Sequence, residues 1–402
     1  MLFKDVIGQD KVKERLRNIV KDNRLSHALL FHGKEGSGAL PLALAFSQYL
    51  VCEKLRPVLS PQFSSGGLFV EEIPAEVVLP EDACGICPAC VKAEALMHPD
   101  IHYTFPTIKR DSNDPPPISA DWIKEWRSFV KAMPYGNLSD WLQSIKAENK
   151  QGNITSRECS EILNTLSLKS HESEYKIQII WMAEFLEKEG NRLLKLIEEP
   201  PVKTLFILIA ENLEKILPTI QSRTVLINIP LQDEEVIAAA LVQRKGIAED
   251  RARDIAAVVE GNFREALEMV ENHETDWQEL LREWLNLIYR YKQKPLLGFI
   301  DQMSKGGRDY IKQFFRHSLM ILDMALQIKV MDPQNLKFRE EDRVAAQKLE
   351  AMLSLSQMEA IIGELNNAIY YIERNANAKL LFHALSIKLH YIIKKNSLFL
   401  VN

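Results

Sequence analysis

The stretch Leu29–Leu44, LLFHGKEGSGALPLAL, decides how the chain reads. Leu29, Leu30 and Phe31 form a short apolar run. A glycine-rich turn follows, Gly33-Lys34-Glu35-Gly36-Ser37-Gly38, and then a helix-forming segment. Strand, glycine loop and helix are the layout of a phosphate-cradling P-loop. Glycines let the backbone approach an anion, and the helix N-terminus adds partial positive charge. A working P-loop next needs a lysine for the β/γ-phosphates and a Ser or Thr hydroxyl for magnesium. This chain has Ala39 and Leu40 at those positions. The cradle Gly33, Gly36, Ser37, Gly38 is kept, and both chemical groups are gone.

Working outward, the pattern is α/β. Asp10–Lys21 reads as a helix with Asp10 as N-cap and Val12, Leu16 and Val20 on one face. His27, just before the first strand, reads as a packed or hydrogen-bonded structural histidine. The helix after the glycine loop runs to about Val51. From Ile154 the alternation resumes: a helix over Ser156–Leu166, a buried strand Lys176–Trp181, a helix Phe185–Glu198 closed by Glu199-Pro200-Pro201, and a buried strand Thr204–Ile209. Such alternation predicts a parallel sheet covered on both faces. In an ATPase of this layout the strand Lys176–Trp181 would end in the magnesium carboxylate and the catalytic glutamate. Those positions are Trp181 and Met182, and Ala210 replaces the polar residue that would sense a γ-phosphate. Three elements of hydrolysis are therefore missing together.

The five cysteines are Cys52, Cys84, Cys87, Cys90 and Cys159. The CxxCxxC run Cys84-Gly85-Ile86-Cys87-Pro88-Ala89-Cys90, in a chain with no secretory signal, argues for tetrahedral zinc over disulfides. Cys52 is the first choice as fourth ligand, with His98 and His102 as rivals. Glu53–Ala83 reads as an extended insertion with a hairpin around Leu68–Val78. A second insertion at 105–150 carries Asp114-Pro115-Pro116-Pro117 and a helical segment in which Trp122 and Trp126 serve packing.

Leu217–Arg223 is a short helix ending in Ser222-Arg223 and feeding a strand, Thr224–Ile229. Its planar fork suits phosphate oxygens of a neighbouring molecule; on the residues alone a surface salt bridge is the simpler reading. Leu231–His273 holds three helices, Asp233–Arg244, Ala248–Val259 and Arg264–Asn272, which form a lid. From Asp276 the chain is helical, with an apolar stripe of Trp277, Leu280, Leu281, Trp284 and Ile288, a break at Gly306-Gly307, and helices over Leu365–Ile372 and Leu380–Ile393. The expected organisation is a sheet domain at 1–230, a lid at 231–275 and a helical domain at 276–402.

Taken in order, these features resemble clamp-loader subunits of the AAA+ superfamily, in the branch that serves bacterial DNA polymerase III. Gly8-Gln9, GKEGSG, the cysteines, Asn191–Lys195 with Glu198–Pro201, Ser222-Arg223, Gly261…Arg264…Ala266-Leu267 and Arg374–Asn377 with Leu380–Phe382 carry the resemblance. The fold it implies is an AAA+ α/β P-loop NTPase-like domain, a three-helix lid and an all-α collar. The role it implies is a stator with no ATPase or polymerase activity of its own, inside a polymerase holoenzyme. Arg223 with Ser222 would be an arginine finger in trans; the family's following cysteine is Thr224 here. Cys52, Cys84, Cys87 and Cys90 would bind zinc, although the first gap is longer than usual. Arg264 matches an arginine that faces nucleotide in active members and reads here as structural. Implied partners are gamma/tau and delta subunits in a hetero-pentamer, the sliding clamp, and primed DNA through phosphates. Arg157 and Lys169 are candidates for DNA contact, though a solvated face explains either. The competing reading within the family is an ATP-hydrolysing motor of the gamma/tau kind.

The bulk numbers agree with a globular multidomain protein: 402 residues, 46% hydrophobic and 26% charged, with a formal net charge of −5. Any nucleic-acid contact must come from a local patch. The acidic surroundings of the knuckle, with Glu71, Glu72, Glu76, Glu81 and Asp82, argue against a zinc-based DNA reading head. A pure scaffold leaves Ser222-Arg223 unexplained. The N-terminus does not read as a signal peptide, no run approaches the roughly 20 apolar residues a membrane helix needs, and a cytoplasmic location is expected.

Overall fold

Apolar strands with short connections leave the backbone one economical arrangement, a parallel sheet sealed by helices on both faces. A computed structural model describes residues 1–55, 79–111, 113–147, 150–271, 277–330, 340–373 and 376–395. The hairpin expected around Leu68–Val78 lies outside the described residues, as do Arg374 and Asn375. The chain forms two compact units, Met1–Glu271 and Asn272–Asn402.

In the first unit the elements are α1 (Asp10–Lys21), β1 (Ala28–His32), α2 (Ala39–Val51), α3 (Pro88–Glu94), β2 (Ile101–Thr104), α4 (Ile123–Ala132), α5 (Leu138–Ser144), α6 (Ser156–Ser167), β3 (Lys176–Trp181), α7 (Leu194–Glu198), β4 (Thr204–Ala210), α8 (Pro218–Gln221), β5 (Val225–Asn228), α9 (Glu234–Lys245), α10 (Glu249–Val258) and α11 (Phe263–Glu271). The strands make one parallel sheet in the order β2-β3-β4-β1-β5, with Leu30 opposite Leu208 and Leu226, and Ile179 opposite Ile207. This parallel α/β sheet is the AAA+-like arrangement that the resemblance implies.

Side chains alternate across the sheet. Leu29, Phe31, Ile177, Ile179, Leu205, Ile207 and Ile209 pack on one face with α2 and the segment 105–142. Ala28, Leu30, Ile180, Phe206, Leu208 and Ala210 pack on the other with α6 and residues 183–197. Because both faces are buried, these strands are mostly apolar; in β3 the buried polar exceptions, Lys176 and Gln178, donate to the Leu166 carbonyl and to Thr104 Oγ1 at 2.7 and 3.0 Å.

Four expectations are corrected. Gln9, in the left-handed region, is the N-cap of α1, and Asp10 is its first helical residue. His27 is exposed, and only its carbonyl is used, accepting from Phe206 N–H at 2.8 Å. The single helix expected over Phe185–Glu198 is instead a run of 3-10 turns from Ala183 to Leu193 followed by α7. The backbone of Glu187 has φ 43°, which breaks the helical ladder in a polar, glycine-containing segment. The stretch after Pro99 begins with β2, the edge strand of the sheet. At four residues, with His102 and Thr104 among them, it is too short and too polar to read as a strand.

The second unit holds α12 (Trp277–Arg290), α13 (Gln293–Lys305), α14 (Gly307–Val330), α15 (Glu340–Met352), α16 (Leu355–Glu373) and α17 (Ala378–Lys395). Leu281, Trp284 and Ile288 of the expected stripe are buried, while Trp277 and Leu280 are partly covered. Trp284 donates its indole N–H to Ser386 Oγ at 2.9 Å, so the buried ring keeps a polar partner.

Candidate functional site

The sequence singles out three places: the glycine loop, the cysteines and Arg223.

The glycine loop joins β1 to α2 as the sequence predicts. Gly36 and Gly38 have φ of +74° and +91°, and a Cβ on Gly36 would lie 1.9 Å from Asn262 Oδ1. Glycine is therefore required for the turn and for the approach of the lid. Gln9 and Gln232 both donate side-chain N–H groups to the Ser37 carbonyl, at 3.0 and 2.9 Å. Pro134, Tyr135 and Gly136 lie over the loop together with Trp181 and Met182, leaving a space of about 30 Å³.

At the end of β3, where magnesium chemistry would need carboxylates, Trp181 is buried in an aromatic cluster. Its ring centroid lies 5.0 Å from that of Trp126 and 6.0 Å from that of Phe129. Phe105 stacks on Trp126 at 4.2 Å, and Trp141 meets both edge-on. Trp122 and Trp126 thus pack, as read from the sequence. Arg264 is buried and bound to carboxylates. Its Nε and Nη2 donate to Asp140 at 2.7 and 2.6 Å, and its Nη1 lies 3.2 Å from both Glu35 and Glu268.

The structure brings Cys52, Cys84, Cys87 and Cys90 together, their sulfurs all within 4.8 Å of one another. Cys84 Sγ and Cys90 Sγ are 3.9 Å apart. A tetrahedral zinc with Zn–S near 2.3 Å spaces its sulfurs by about 3.8 Å, so the four thiols could hold one ion. Backbone N–H groups of Cys84, Cys87 and Cys90 point at Cys52, Cys84 and Cys87 sulfurs at 3.4, 3.3 and 3.4 Å. Burial pushes the Cys52 and Cys90 thiols up. Burial also pushes on Cys84, but N–H donors from Ile86 and Cys87 outweigh it and hold that thiol at about 6. A cation is the partner that lets such a group ionise together. Cys52 reaches the cluster because α2 ends there, a placement its distance in sequence hides. Neither rival histidine joins it: His98 Nδ1 accepts from Asp100 N–H at 3.1 Å, and His102 lies on β2.

Arg223 follows α8 at the start of β5, an edge strand of the sheet. Its side chain, 36% exposed, is ion-paired through Nε to Glu198 and donates from Nη1 to the Thr219 carbonyl at 2.8 Å. Ser222 is exposed, and its hydroxyl donates to Thr219 at 3.2 Å and lies 3.3 Å from Arg223 Nη1. The salt bridge anticipated as the simple reading is therefore present. Arg157 donates to the Pro116 carbonyl at 3.0 Å, and Lys169 lies beyond the end of α6. Among the described residues no helix is long and apolar enough to cross a membrane.

The chain was compared with known proteins. The delta' subunit of DNA polymerase III from Bacillus subtilis is 24% identical over 363 residues, 90% of this chain and 88% of that protein. The tau/gamma subunit from Haemophilus influenzae is 26% identical over 67% of this chain, which spans 30% of that protein. Among solved structures, a DNA polymerase III gamma subunit-related protein from Thermotoga maritima is 17% identical over 96% of this chain and all of that one, with a TM-score of 0.43. A family model described as DNA polymerase III, delta subunit, matches residues 8–65 and 67–233. That match takes in over half of the sequence, including the glycine loop, all four strands beyond it and Arg223, and the chain belongs to the DNA polymerase III delta subunit family.

Proposed function

We propose that the chain is the non-hydrolysing, delta'-type stator of a DNA polymerase III clamp loader. It would help to load a sliding clamp onto primed DNA and contribute Arg223, with Ser222, to the ATP site of a neighbouring gamma/tau-type motor in a hetero-pentamer that also contains a delta subunit. The observation that carries this reading is the joint loss of hydrolytic groups. Ala39 replaces the phosphate lysine, Leu40 replaces the magnesium hydroxyl, and Trp181 sits in an aromatic cluster where carboxylates are needed. A subunit stripped of hydrolysis can still act on another's nucleotide. Arg223 stands beside an edge strand whose Val225 and Leu226 are 40% and 39% exposed, a surface suited to a neighbouring subunit. The relative aligned over most of its own length is a delta' subunit, whereas the tau/gamma match spans about a third of that protein.

Cys52, Cys84, Cys87 and Cys90 would hold a structural zinc that ties the end of α2 to the loop before α3. The second unit would serve as the collar. The whole reading is tested by ATP hydrolysis, first by the chain alone and then with motor subunits, clamp and primed DNA. No turnover alone and stimulation that disappears with Arg223→Ala are expected. Turnover by the chain alone, or full stimulation by the Arg223→Ala chain, overturns it.

A further inference from the structure

The second insertion lies across the glycine loop, and the lid is bound to it. Tyr135 presses its ring on the loop: a Cβ on Gly38 would meet Tyr135 Cε1 at 3.1 Å. Its hydroxyl accepts from Ile7 N–H at 2.9 Å, and its ring meets Phe263 of the lid edge-on at 4.9 Å. The insertion also supplies Asp140, which takes two donors of the lid's Arg264. Asp140 is fixed by a reciprocal cap: it accepts from Asn137 N–H, and its own N–H donates to Asn137 Oδ1, both at 2.9 Å. Glu35 of the glycine loop accepts from Asn137 Nδ2 at 3.0 Å and from Asn262 Nδ2 and Arg264 Nη1 at 3.2 Å. Loop, insertion and lid thus meet on one set of hydrogen bonds, buried at Asp140 and Arg264 and partly buried at Glu35.

A lid arginine that is taken bidentately by a carboxylate has its fork filled in the geometry a phosphate would use. Arg264 faces Glu35, Asp140 and Glu268, so the surroundings of the cradle are acidic. The space left over the loop, about 30 Å³, holds a water or two. Small-ligand sites have volumes of roughly 300–1,000 Å³.

We propose that residues 134–140 of the insertion are a built-in occupant of the nucleotide site. They roof the glycine loop and, with Glu35, give the lid arginine carboxylates in place of phosphates, so that the lid is fastened to the sheet without nucleotide and nucleoside triphosphates are excluded. This concerns the free chain and holds whether or not Arg223 acts on a neighbour.

The test is hydrogen–deuterium exchange on the full chain, with inorganic pyrophosphate and Mg-ATP as probes. In the native protein neither probe should change exchange of the lid helices at millimolar concentration. In the Glu35→Gln/Asp140→Asn double variant the lid amides should exchange about tenfold faster or more, as expected when local opening becomes easier, and pyrophosphate should restore protection by taking Arg264. Exchange in the sheet strands β3 and β4 of the same unit should not change, which separates loosening of the lid from unfolding of the whole unit. Glu35→Gln alone leaves Asp140 on Arg264 and should show a smaller effect of the same sign. Pyrophosphate protection in the native chain, unchanged lid exchange in both variants, or no response of the double variant to pyrophosphate would each overturn the proposal.

Discussion

Single side chains in this molecule decide where charge is tolerated. Asp100, buried beside β2, accepts backbone N–H groups from His171, Glu172 and Ser173 at 2.5, 2.8 and 2.7 Å. Burial pushes its carboxyl up, but those donors outweigh burial and leave it below the ordinary value of 3.8. A carboxyl depressed in the folded state contributes stability that is fully present above its unfolded value and is lost as pH falls through the folded one. Asp100→Asn keeps an acceptor but removes the charge, so it should lower stability at pH 7 by about 1–2 kcal/mol. It should also flatten the loss of stability below about pH 4. Urea unfolding of both proteins at pH 7 and at pH 3.5 checks this: parallel losses on acidification would show that Asp100 does not carry the acid limb. The same rule governs Arg264, whose burial is tolerable only because carboxylates receive it. The sequence placed that arginine on the lid and marked it as structural. Asp140, which comes from a different stretch, could be found only by folding the chain.

At the scale of elements, the signals that were legible are periodic or local. β3 and β4 are mostly apolar runs, and both are legible to within a residue of their bounds. The glycine loop and the CxxCxxC run carry their chemistry in spacing. The signals that were missed are those that tertiary neighbours create. β2 has only edge pairing and a half-polar sequence, and the break at Glu187 comes from a backbone conformation that no periodicity announces. The insertion at 105–150 was read as packing tryptophans; its aromatic cluster and its Asp140 become informative only once Trp181 and Arg264 are seen against them. Cys52 illustrates the middle case, for its residue type is legible and its convergence on Cys84, Cys87 and Cys90 is not. If these four hold zinc, the purified chain should carry about one ion, and a chelator should lower the unfolding temperature of the first unit, because metal binding contributes to folding. Cys52→Ser should reduce zinc content as Cys87→Ser does. Cys159→Ser, at a buried thiol that points to the Glu189 carbonyl, and His98→Ala should leave it intact. Full zinc content in Cys52→Ser, with loss in His98→Ala, would move the fourth ligand to the histidine.

For the whole molecule the question is how a chain without hydrolytic groups would act on a neighbour's ATP, as proposed above. Arg223 in the free chain is held by Glu198 and by the Thr219 carbonyl, close to the surface and beside an exposed edge strand. To reach another subunit's phosphates it must exchange Glu198 for a more strongly charged acceptor. That exchange is inexpensive, because a partly exposed ion pair is worth about 0–1 kcal/mol. A triphosphate, in contrast, rewards a planar fork with several charge-assisted bonds. Three substitutions separate a finger from a surface salt bridge. Arg223→Ala and Glu198→Gln should each change the stability of the isolated chain by no more than about 0.5–1 kcal/mol. In the assembled loader with clamp and primed DNA, Arg223→Ala should slow hydrolysis at the neighbouring site by about 10³–10⁵-fold, and Arg223→Lys should recover little of it, since a point charge cannot reproduce the fork. Glu198→Gln should keep hydrolysis near the native rate, because it removes only the resting partner. Single-turnover hydrolysis by a loader with one competent motor site, the one facing Arg223, measures all three. If Glu198→Gln abolishes turnover as Arg223→Ala does, the pair acts as a structural tie of α7 to the turn after α8, and the electrostatic role of Arg223 is withdrawn. If Arg223→Lys restores the full rate, charge without bidentate geometry is sufficient and the fork has no part in the chemistry.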